Sequence, residues 1–459
     1  MAEAQIILDA LADWVGHQRW FVGKGTMPSL RCVASLTLSS DPQLEVKILI
    51  AGDQRGADER LFQVPVVLRR AFREAGAPGH IGSLRDPDGL EWQLYDGPED
   101  PAFTERLLRL IADGESLGDD TAAVRGIPTS PWPSSNLTSR VLRGEQSNTS
   151  IVYSAEDDST GESSVICKIF RMLHHGENPD VVLQSALFTS GSTSVPPLFG
   201  SVAARWPDDS RPDGSASGHL AFAQRFLSGA QDAWSLALAA GSTHADFTVS
   251  ARQIGIATAD VHATLARALP TRDPAAADIE VAVAAWRTRL DAAIAEVPEL
   301  TPLRPAIELL YERAAGVPWP KLQSIHGDLH LGQILATPSG SWAIIDFEGE
   351  PMRPLDERSL PDLPLRDIAG MLRSFDYAAG SHEPSESMTR WAHECRVAFI
   401  DGYIAGSGRD VRKNRVLLDA FEMDKALYEV VYEANNRPAW LGIPTSAVQR
   451  LADRAATAR

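Results

Sequence analysis

Residues 324–335 of this chain are SIHGDLHLGQIL, and residues 344–350 are IIDFEGE. In both stretches an apolar run carries an acidic residue, Asp328 or Asp346, into a polar loop. Phosphoryl transfer requires one carboxylate beside the attacking hydroxyl, an oxygen ligand for a metal ion, and a second carboxylate that bridges metal and phosphates. Gln333 lies five residues after Asp328, where the first metal ligand is expected. The two stretches together therefore predict a phosphoryl-transfer site.

The pattern H-x-D-x-x-x-x-N followed by D-F-G is typical of kinases. This chain has Gln333 at the Asn position and Asp346-Phe347-Glu348 at the D-F-G position. We expect Asp328 to position and deprotonate the attacking hydroxyl, and Gln333 and Asp346 to hold Mg²⁺ through oxygen atoms. Glu348 is predicted to bind a second ion or to orient Asp346. Two hairpin ends with solvated acids are the alternative, which the spacing of the two stretches disfavours.

Two histidines flank the predicted base and allow two interpretations. His326 and His330, four residues apart, would bind zinc if they lay on a helix with a third ligand. Gly327 and Gly332 instead favour a loop. In a loop, His326 and His330 are predicted to support the backbone around Asp328.

The composition limits the classes to which the protein can belong. At 459 residues, with 44% hydrophobic and 23% charged residues, the chain resembles a soluble protein with more than one core. The formal net charge of −18 disfavours nucleic acids and anionic membranes as partners, whereas a small neutral or cationic substrate suits it. Neither a transmembrane run nor a signal peptide is recognisable. Cys32, Cys167 and Cys395 have no C-x-x-C spacing, so we expect reduced thiols in a cytoplasmic protein.

Hydrophobic periodicity and turn residues predict three domains. Residues 1–88 mix a helix with strands and form a predicted N-terminal cap subdomain. Residues 89–227 are predicted to form a β-rich nucleotide-binding lobe, and residues 228–459 a helical catalytic and sugar-binding lobe. The predicted fold class is therefore α+β, a bilobal protein-kinase-like fold with a cap subdomain, a small antiparallel-sheet lobe and a mostly helical C-terminal lobe. The longest predicted helices span residues 250–269, 274–297, 367–377, 386–404 and 414–435.

Two features of the second domain suit a nucleotide. Residues 144–150 form a polar connection between strands, in which Ser147, Asn148 and Thr149 offer hydroxyl, amide and backbone groups to phosphates. A plain polar hairpin explains this connection about as well. Lys168 lies in the strand-like run VICKIF, where a lysine is costly to bury without a partner. An edge-strand lysine that faces water is the alternative.

The partner of Lys168 is not evident from the sequence. In kinases a strand lysine pairs with a glutamate on the next helix. That helix is predicted to begin near Pro179, but Val182 stands where the glutamate is expected. Asp180 lies one turn early and Gln184 is the nearest polar residue later. The partner therefore stays open at the level of sequence.

The segment from Phe421 to Trp440 carries a polar and aromatic stripe at helical spacing. Its members are Glu422, Lys425, Glu429, Tyr432 and Glu433. A solvated helix face with ion pairs such as Lys425–Glu429 explains this stripe. A carbohydrate site explains it equally well, because carboxylates accept hydrogen bonds from sugar hydroxyls and an aromatic ring such as Trp440 stacks on a pyranose. Asp367, at a predicted helix start, is a further candidate for binding a sugar hydroxyl.

These strings together resemble the actinobacterial maltokinase family, which is related to aminoglycoside phosphotransferases within the eukaryotic-like kinase fold. The resemblance extends over nearly the whole chain. The strings that carry it are RWFVGKG (19–25), EQSNTS (145–150), NPD (178–180), HGDLHLGQ (326–333), DFEGEP (346–351), LDER (355–358), PLRDIAG (364–370) and the segment from Tyr432 to Trp440.

The resemblance implies ATP and Mg²⁺, with Asp328 as base, Gln333 and Asp346 as metal ligands, and Lys168 on the phosphates. It also implies a sugar near the helix from Asp424 to Trp440. The family reaction phosphorylates maltose at its anomeric hydroxyl, giving maltose 1-phosphate for glycogen or α-glucan synthesis, and maltose is the favoured acceptor. A related branch that phosphorylates glucosamine at O6 is the alternative, since the acidic stripe also suits an ammonium sugar.

A catalytically silent nucleotide-binding regulator is a further alternative. The missing glutamate motivates it, and the intact set of Asp328, Gln333 and Asp346 disfavours it. A protein kinase is less favoured, because no recognisable activation segment follows Asp346. The sequence leaves open whether the chain is a monomer or a homodimer and whether a pathway partner enzyme exists.

Overall fold

The computed structural model describes residues 2–22, 27–55, 59–73, 77–133, 137–144, 147–155, 163–350 and 355–457. The chain forms two compact units. The first unit is Met1–Val182 with Pro196–Ser228, and the second is Leu183–Val195 with Gly229–Arg459. Among the described residues, no helix is long and apolar enough to cross a membrane.

The first unit is mostly β-structure. Its two complete helices are α1 (Ala2–Gly16) and α2 (Pro101–Ala112). Its strands are β1 (Leu30–Asp41), β2 (Leu44–Asp53), β3 (Arg60–Arg69), β4 (His80–Arg85), β5 (Glu91–Asp96), β6 (Ser116–Gly118), β7 (Ala123–Pro128), β8 (Thr138–Leu142), β9 (Asn148–Ser154), β10 (Val165–Phe170), β11 (Met172–Leu173), β12 (Leu198–Pro207) and β13 (Ser215–Arg225).

The strands of this unit form two antiparallel sheets. The N-terminal sheet has the order β1-β2-β3-β5-β4, with β11 also paired to β3. Its hydrophobic face packs on α1 through Leu8 and Leu11 of the helix, which belong to one core cluster with Phe62. The second sheet has the order β6-β7-β12-β13-β10-β9-β8. The consecutive strands β8, β9 and β10 pair antiparallel, in agreement with the predicted antiparallel-sheet lobe.

The second unit is mostly helical. Helix α3 (Pro179–Thr189) begins in the first unit and ends in the second. The others are α4 (Ala233–Thr243), α5 (Thr248–Ala268), α6 (Ala276–Glu296), α7 (Arg304–Gly316), α8 (Leu355–Arg358), α9 (Leu365–Gly380), α10 (Glu386–Ser407), α11 (Arg415–Asn436) and α12 (Gly442–Thr457). A small antiparallel sheet consists of β14 (Gln231–Asp232), β15 (Ile334–Ala336) and β16 (Trp342–Ile344).

Helices α5 and α10 pack unusually closely, and two glycines permit this. A Cβ atom on Gly255 would overlap the backbone carbonyl of Phe399, and one on Gly402 would overlap the carbonyl of Arg252. Helix α10 is fixed at both ends: the Ser385 side chain accepts a hydrogen bond from the Met388 N–H, and Gly408 closes the helix in the left-handed conformation. The close contact sets the position of polar side chains on α5 and α10 behind the predicted catalytic loop.

The predicted fold class is confirmed, and the longest predicted helices correspond to α5, α6, α9, α10 and α11. The three-domain division stays a prediction, since the described contacts separate two units. The boundary predicted at residue 88 falls between β4 and β5, which pair with each other. The N-terminal sheet therefore extends to Asp96, because the turn cluster there closes a hairpin and does not separate domains.

Candidate active site

The loop that contains Asp328 is held in place by a buried carboxylate. Asp367, on the first turn of α9, accepts hydrogen bonds from the backbone N–H groups of His326 and Gly327, each at 2.8 Å. Oδ2 of Asp367, the oxygen that accepts from His326, also lies 2.8 Å from Nε2 of His262. Nδ1 of His262 lies 3.0 Å from the Tyr403 hydroxyl. Burial opposes the charge, but the hydrogen bond with His262 and the backbone donors more than offset it, so the pKa of Asp367 is lowered.

This position differs from the sugar contact predicted for Asp367. The residue is 1% exposed and faces the back of the loop, where its oxygens are occupied by protein donors. Helix α9 comes so close to the loop that a Cβ on Gly370 would meet the carbonyl oxygen of Leu329. The Ser374 hydroxyl on the same helix accepts from the Leu331 N–H at 3.0 Å. Helix α9 is therefore the support of the loop.

The ring of His326 connects the two acidic stretches. Its Nδ1 accepts from the Asp328 N–H at 3.3 Å, and its Nε2 lies 3.0 Å from the carbonyl oxygen of Ile345. The ring also packs on Phe347, with centroids 4.6 Å apart. Because both nitrogens are occupied and the segment is a loop, the geometry disfavours the zinc alternative. His330 accepts from the Gly332 N–H at 3.0 Å and so shapes the turn that precedes Gln333.

Asp346 lies in a strained backbone conformation next to Gln333. Its φ of 67° is in the left-handed region, which a non-glycine residue adopts at a cost and which often marks a functional position. The Gln333 amide donates to Oδ2 of Asp346 at 2.8 Å. One carboxylate oxygen each of Asp346 and Glu348 lie within 4.8 Å of one another. The second unit thus brings the three predicted metal ligands together on one loop pair.

Asp328 forms an ion pair that the sequence did not predict. The Lys425 ammonium on α11 lies 3.0 Å from Oδ1 of Asp328. Burial raises the pKa of Asp328, but Lys425, His330 and His326 more than reverse this effect, so its pKa is lowered. Burial likewise opposes the charge of Lys425, yet Asp328, Glu350 and Glu429 raise its pKa. The predicted base is therefore an ionised carboxylate beside a fixed cation.

A small cavity lies beside this pair. Its volume is about 20 Å³, which suits a water molecule and excludes a sugar. Its charged lining residues are Asp328, Glu350, Arg366, Asp424 and Lys425. A sugar could reach Asp328 only from its solvent side, where 20% of the side chain is exposed.

The acidic stripe of α11 is not a solvated face. Glu429 is 9% exposed and Glu433 is 1% exposed. Glu429 binds the buried Arg373 guanidinium at 2.7 Å, and burial nevertheless raises the pKa of Glu429. Glu433 accepts from the Tyr377 hydroxyl at 3.1 Å and from Arg437 at 2.6 Å. These carboxylates have protein partners, and the surface pair Lys425–Glu429 is absent from the described ion pairs because Lys425 turns to Asp328.

The two predicted aromatic contacts are Tyr432, near the C-terminal end of α11, and Trp440, just beyond that end. Tyr432 is 44% exposed. Trp440 stacks on Tyr377 with ring centroids 6.2 Å apart, and the Arg437 guanidinium lies 4.8 Å from the Trp440 ring. The structure therefore gathers Glu433, Tyr432 and Trp440 around Arg437. Their contact with a sugar stays a prediction.

In the first unit, Lys168 has the carboxylate partner that the sequence left open. Its ammonium lies 3.1 Å from Oδ2 of Asp180, which is 2% exposed on the first turn of α3. The helix begins there because the Asn178 side chain accepts from the Asp180 N–H at 2.9 Å. Strand β10 is flanked by β9 and β13, so the edge-strand alternative for Lys168 is wrong.

The predicted phosphate-binding connection is only partly described. Glu145 and Gln146 lie outside the described residues, and Gly144 adopts a φ of 129°. Asn148 contacts the Ser147 hydroxyl at 3.4 Å. The Thr149 hydroxyl accepts from the buried Arg171 guanidinium at 2.9 Å, so it also anchors the start of β9. Phosphate contacts by Ser147, Asn148 and Thr149 stay a prediction.

Two parts of the chain match known protein families. Residues 14–100 match the maltokinase N-terminal cap domain, and residues 209–413 match the phosphotransferase enzyme family. The chain is therefore similar to maltokinases in its N-terminal part and to the phosphotransferase enzyme family in its catalytic part. The cap match includes the end of α1 and strands β1 to β5, and the phosphotransferase match includes the loops that carry Asp328 and Asp346.

Two curated relatives and one solved structure extend nearly over the whole chain. The chain is 28% identical to a glucosamine kinase of Streptacidiphilus jiangxiensis, over 90% of this chain and 96% of the relative. It is 25% identical to a glucosamine kinase of Mycolicibacterium smegmatis, over 81% and 93%. A glucosamine kinase structure in complex with glucosamine, ADP and inorganic phosphate superposes with a TM-score of 0.69 at 21% identity, over 96% of this chain and 98% of that one. This structural likeness shows a shared fold.

These relatives bear on the acceptor that the sequence favoured. The phosphotransferase prediction is confirmed, whereas the preference for maltose receives no support from the named relatives. They favour the alternative that the sequence left open. Sequence reasoning also missed Lys425 as the partner of Asp328; its signal was a single lysine within an acidic helical stripe, at a position that looked like surface.

Proposed function

We propose that this phosphotransferase is a sugar kinase that transfers the γ-phosphoryl group of ATP to glucosamine, at O6. One observation carries the proposal. Asp328 is an ionised carboxylate on a loop that Asp367 holds in place, and the same part of the structure brings together Gln333 and Asp346, which offer oxygen ligands. The names of two relatives that match over most of their length support the choice of acceptor.

In the proposed reaction Asp328 accepts a hydrogen bond from the acceptor hydroxyl and takes its proton. The hydroxyl oxygen forms a bond to the γ-phosphorus, the bond from that phosphorus to the β–γ bridging oxygen breaks, and ADP leaves with the electron pair. Most of the rate enhancement in such reactions comes from positioning and charge stabilisation. The fixation of the loop by Asp367 and His326 is therefore as relevant as the basicity of Asp328.

The residues near Asp346 fit a magnesium ion. Carboxylate and amide oxygens are the ligands that Mg²⁺ prefers, and Asp346, Glu348 and Gln333 supply them on adjacent loop segments. When bound, Mg²⁺ neutralises the charge of the phosphate oxygens. The left-handed backbone of Asp346 fixes the direction in which its carboxylate points from the loop.

On the nucleotide side, the proposal assigns the phosphates to Lys168. The Asp180 carboxylate keeps the ammonium in one orientation, as a helix glutamate does in other kinases. The absent glutamate at Val182 was the reason to consider a silent regulator. Because Asp180 provides the carboxylate, that reason no longer holds, and an active enzyme is the better proposal.

Maltose is the second candidate, and one observation favours it. The matched cap is described as that of maltokinases, although the cap holds none of the residues that we assign to the reaction. An ammonium sugar gains from the acidic residues on α11, whereas a neutral disaccharide does not. Several of those acids are already paired with arginines, however, so charge alone does not decide between the two sugars.

The test is ADP release by the purified full-length protein with Mg-ATP and glucosamine, maltose, glucose or no sugar. We expect turnover with glucosamine and a single product whose phosphorus couples to the C6 protons in NMR. Turnover confined to maltose would replace the acceptor and keep the catalytic assignments. Absence of sugar-dependent turnover with all three would contradict the proposal. Asp328→Asn, assayed in parallel, excludes a contaminating kinase as the source of ADP.

A further inference from the structure

Lys425 is a charged residue beside the reacting position that no part of the proposed reaction has used. It projects from α11, and its ammonium lies 3.0 Å from Oδ1 of Asp328. The side chain passes close to the Tyr428 ring, 5.1 Å from its centroid, which limits the orientations of the ammonium. About 27% of the Lys425 side chain and 20% of the Asp328 side chain are exposed, so the pair faces the side from which an acceptor arrives.

We propose that Lys425 positions Asp328 for the acceptor hydroxyl and, as a fixed cation, selects which hydroxyl of an amino sugar reaches it. This inference rests on the proposed function. The ion pair occupies Oδ1 of Asp328, so the second oxygen is left to receive the hydroxyl proton. A base held by one oxygen has a defined direction, which an unsupported carboxylate on a loop lacks.

The selection follows from charge. In glucosamine the hydroxyls on C1 and C3 are neighbours of the ammonium group on C2, whereas the hydroxyl on C6 is on the opposite part of the ring. To bring O1 or O3 to Asp328 would place two ammonium groups side by side in a partly buried site, where like charges repel strongly. O6 avoids this contact. Lys425 thereby favours the hydroxyl that is farthest from the amine.

The charged surroundings of Asp328 allow the effect of Lys425 to be isolated. From its own loop, His326 and His330 act on the carboxylate; from α8 and α11, Arg358 and Tyr428 interact with it. Glu350 and Glu429 act on Lys425. Lys425 is the first of the cations whose charge lowers the Asp328 pKa. Its removal should therefore raise that pKa by one unit or more, as expected for a cation within about 4–6 Å of a carboxylate.

The experiment compares the parent with Lys425→Gln, Lys425→Arg and the exposed-lysine control Lys413→Gln. In the pH profile of kcat/KM with glucosamine, we expect Lys425→Gln to move the acid limb about one pH unit upward. The plateau value above that limb should fall about tenfold, because Asp328 loses the contact that orients it. We also expect phosphate on O1 or O3 in its product mixture. Lys425→Arg should restore the acid limb and the single product, and Lys413→Gln should behave as the parent.

A purely structural role would lower the melting temperature of Lys425→Gln and leave the acid limb and the product unchanged, and that result would overturn the inference. Failure of the proposed function is recognised separately, as absence of sugar turnover by the parent. In that case the carboxyl titration of Asp328, followed by carbon NMR with Asp328→Asn for assignment, still tests the pair. An equal midpoint in the parent and Lys425→Gln would refute it, whereas a higher midpoint in the variant would support it.

Discussion

The two units each contain a lysine–aspartate pair of nearly the same length, but the pairs differ in how deeply the aspartate is buried. Lys168 and Asp180 are 3.1 Å apart in the first unit, and Lys425 and Asp328 are 3.0 Å apart in the second. The Asp180 side chain is 2% exposed, whereas that of Asp328 is 20% exposed. We propose that Asp180 orients Lys168 in the first pair and that Lys425 orients Asp328 in the second.

The comparison also shows what local sequence can reveal. Lys168 and Asp328 lie in apolar strings with a recognisable pattern, and both were predicted from those strings. Their partners, Asp180 and Lys425, come from helices that tertiary packing brings close, and neither was assigned. In each pair, the member on the strand or loop was predicted from the sequence, and the member on the helix was not assigned.

The largest effect should come from the aspartate of the second pair. Asp328→Asn removes the carboxylate that accepts the hydroxyl proton, and a positioned base contributes about 10²–10⁴-fold. We expect sugar-dependent ADP release to fall by at least 10²-fold with a change of melting temperature under about 2 °C, because the residue is partly exposed. Activity within roughly tenfold of the parent would contradict its role as base.

A smaller effect is expected in the first pair, and its two members should differ. Lys168→Met removes the cation that we assign to the phosphates, so kcat/KM for ATP should fall about 10²-fold, as for loss of a charged contact in a desolvated site. Asp180→Asn keeps the lysine but gives it an uncharged partner, so the loss in kcat/KM for ATP should be about tenfold smaller than in Lys168→Met. Steady-state kinetics with varied ATP measure both. If Asp180→Asn were as severe as Lys168→Met, the acid would itself have a direct role and the comparison would fail.

How far the sequence predicts the site depends on the range of the interaction. Gln333, Asp346 and Glu348 were predicted together because they lie within two neighbouring segments that a short turn joins, and the structure brings them together. Asp367 was recognised as important but was predicted to bind a sugar hydroxyl. Its true partners are backbone N–H groups about 40 residues earlier in the chain, and a side chain that binds the backbone leaves no pattern in the sequence.

The fold shows the same limit. The long helices α5, α6, α9, α10 and α11 were predicted from apolar periodicity, which is the most reliable signal over two or more turns. Helices α4, α7 and α12 were not predicted. Helix α7 begins among prolines, at Pro302 and Pro305, and such residues resemble a loop until the packing is known. The start of α3 near Pro179 was predicted correctly, but Asp180 on its first turn, and not a glutamate at position 182, is the partner of Lys168.

The smallest effect on activity, with the largest effect on stability, is expected for the residue that supports the second pair from behind. Asp367→Asn keeps the shape of the side chain but turns an amide donor toward N–H groups that need acceptors. Loss of a buried acceptor costs about 1–3 kcal/mol, so we expect the free energy of unfolding to fall by about 2 kcal/mol and kcat by about tenfold.

The pH dependence of this variant distinguishes loop support from catalysis. The folded-state pKa of Asp367 is lowered relative to its unfolded value, chiefly because the hydrogen bonds from His262 and the loop outweigh the cost of burial. The carboxylate therefore contributes stability above the unfolded pKa of about 3.9, and this contribution is lost as the pH falls through the folded value. Urea unfolding at pH 7 should separate parent and Asp367→Asn by the full difference in the free energy of unfolding, and the two values should converge as the pH falls below about 4.

Asp328→Asn serves as the matched control, with much lower activity and little change in stability. A stability gap for Asp367→Asn that stayed constant from pH 7 to pH 3 would mean that the charge of Asp367 does not hold the loop, and the support of the second pair would have to come from the packing of α9 alone.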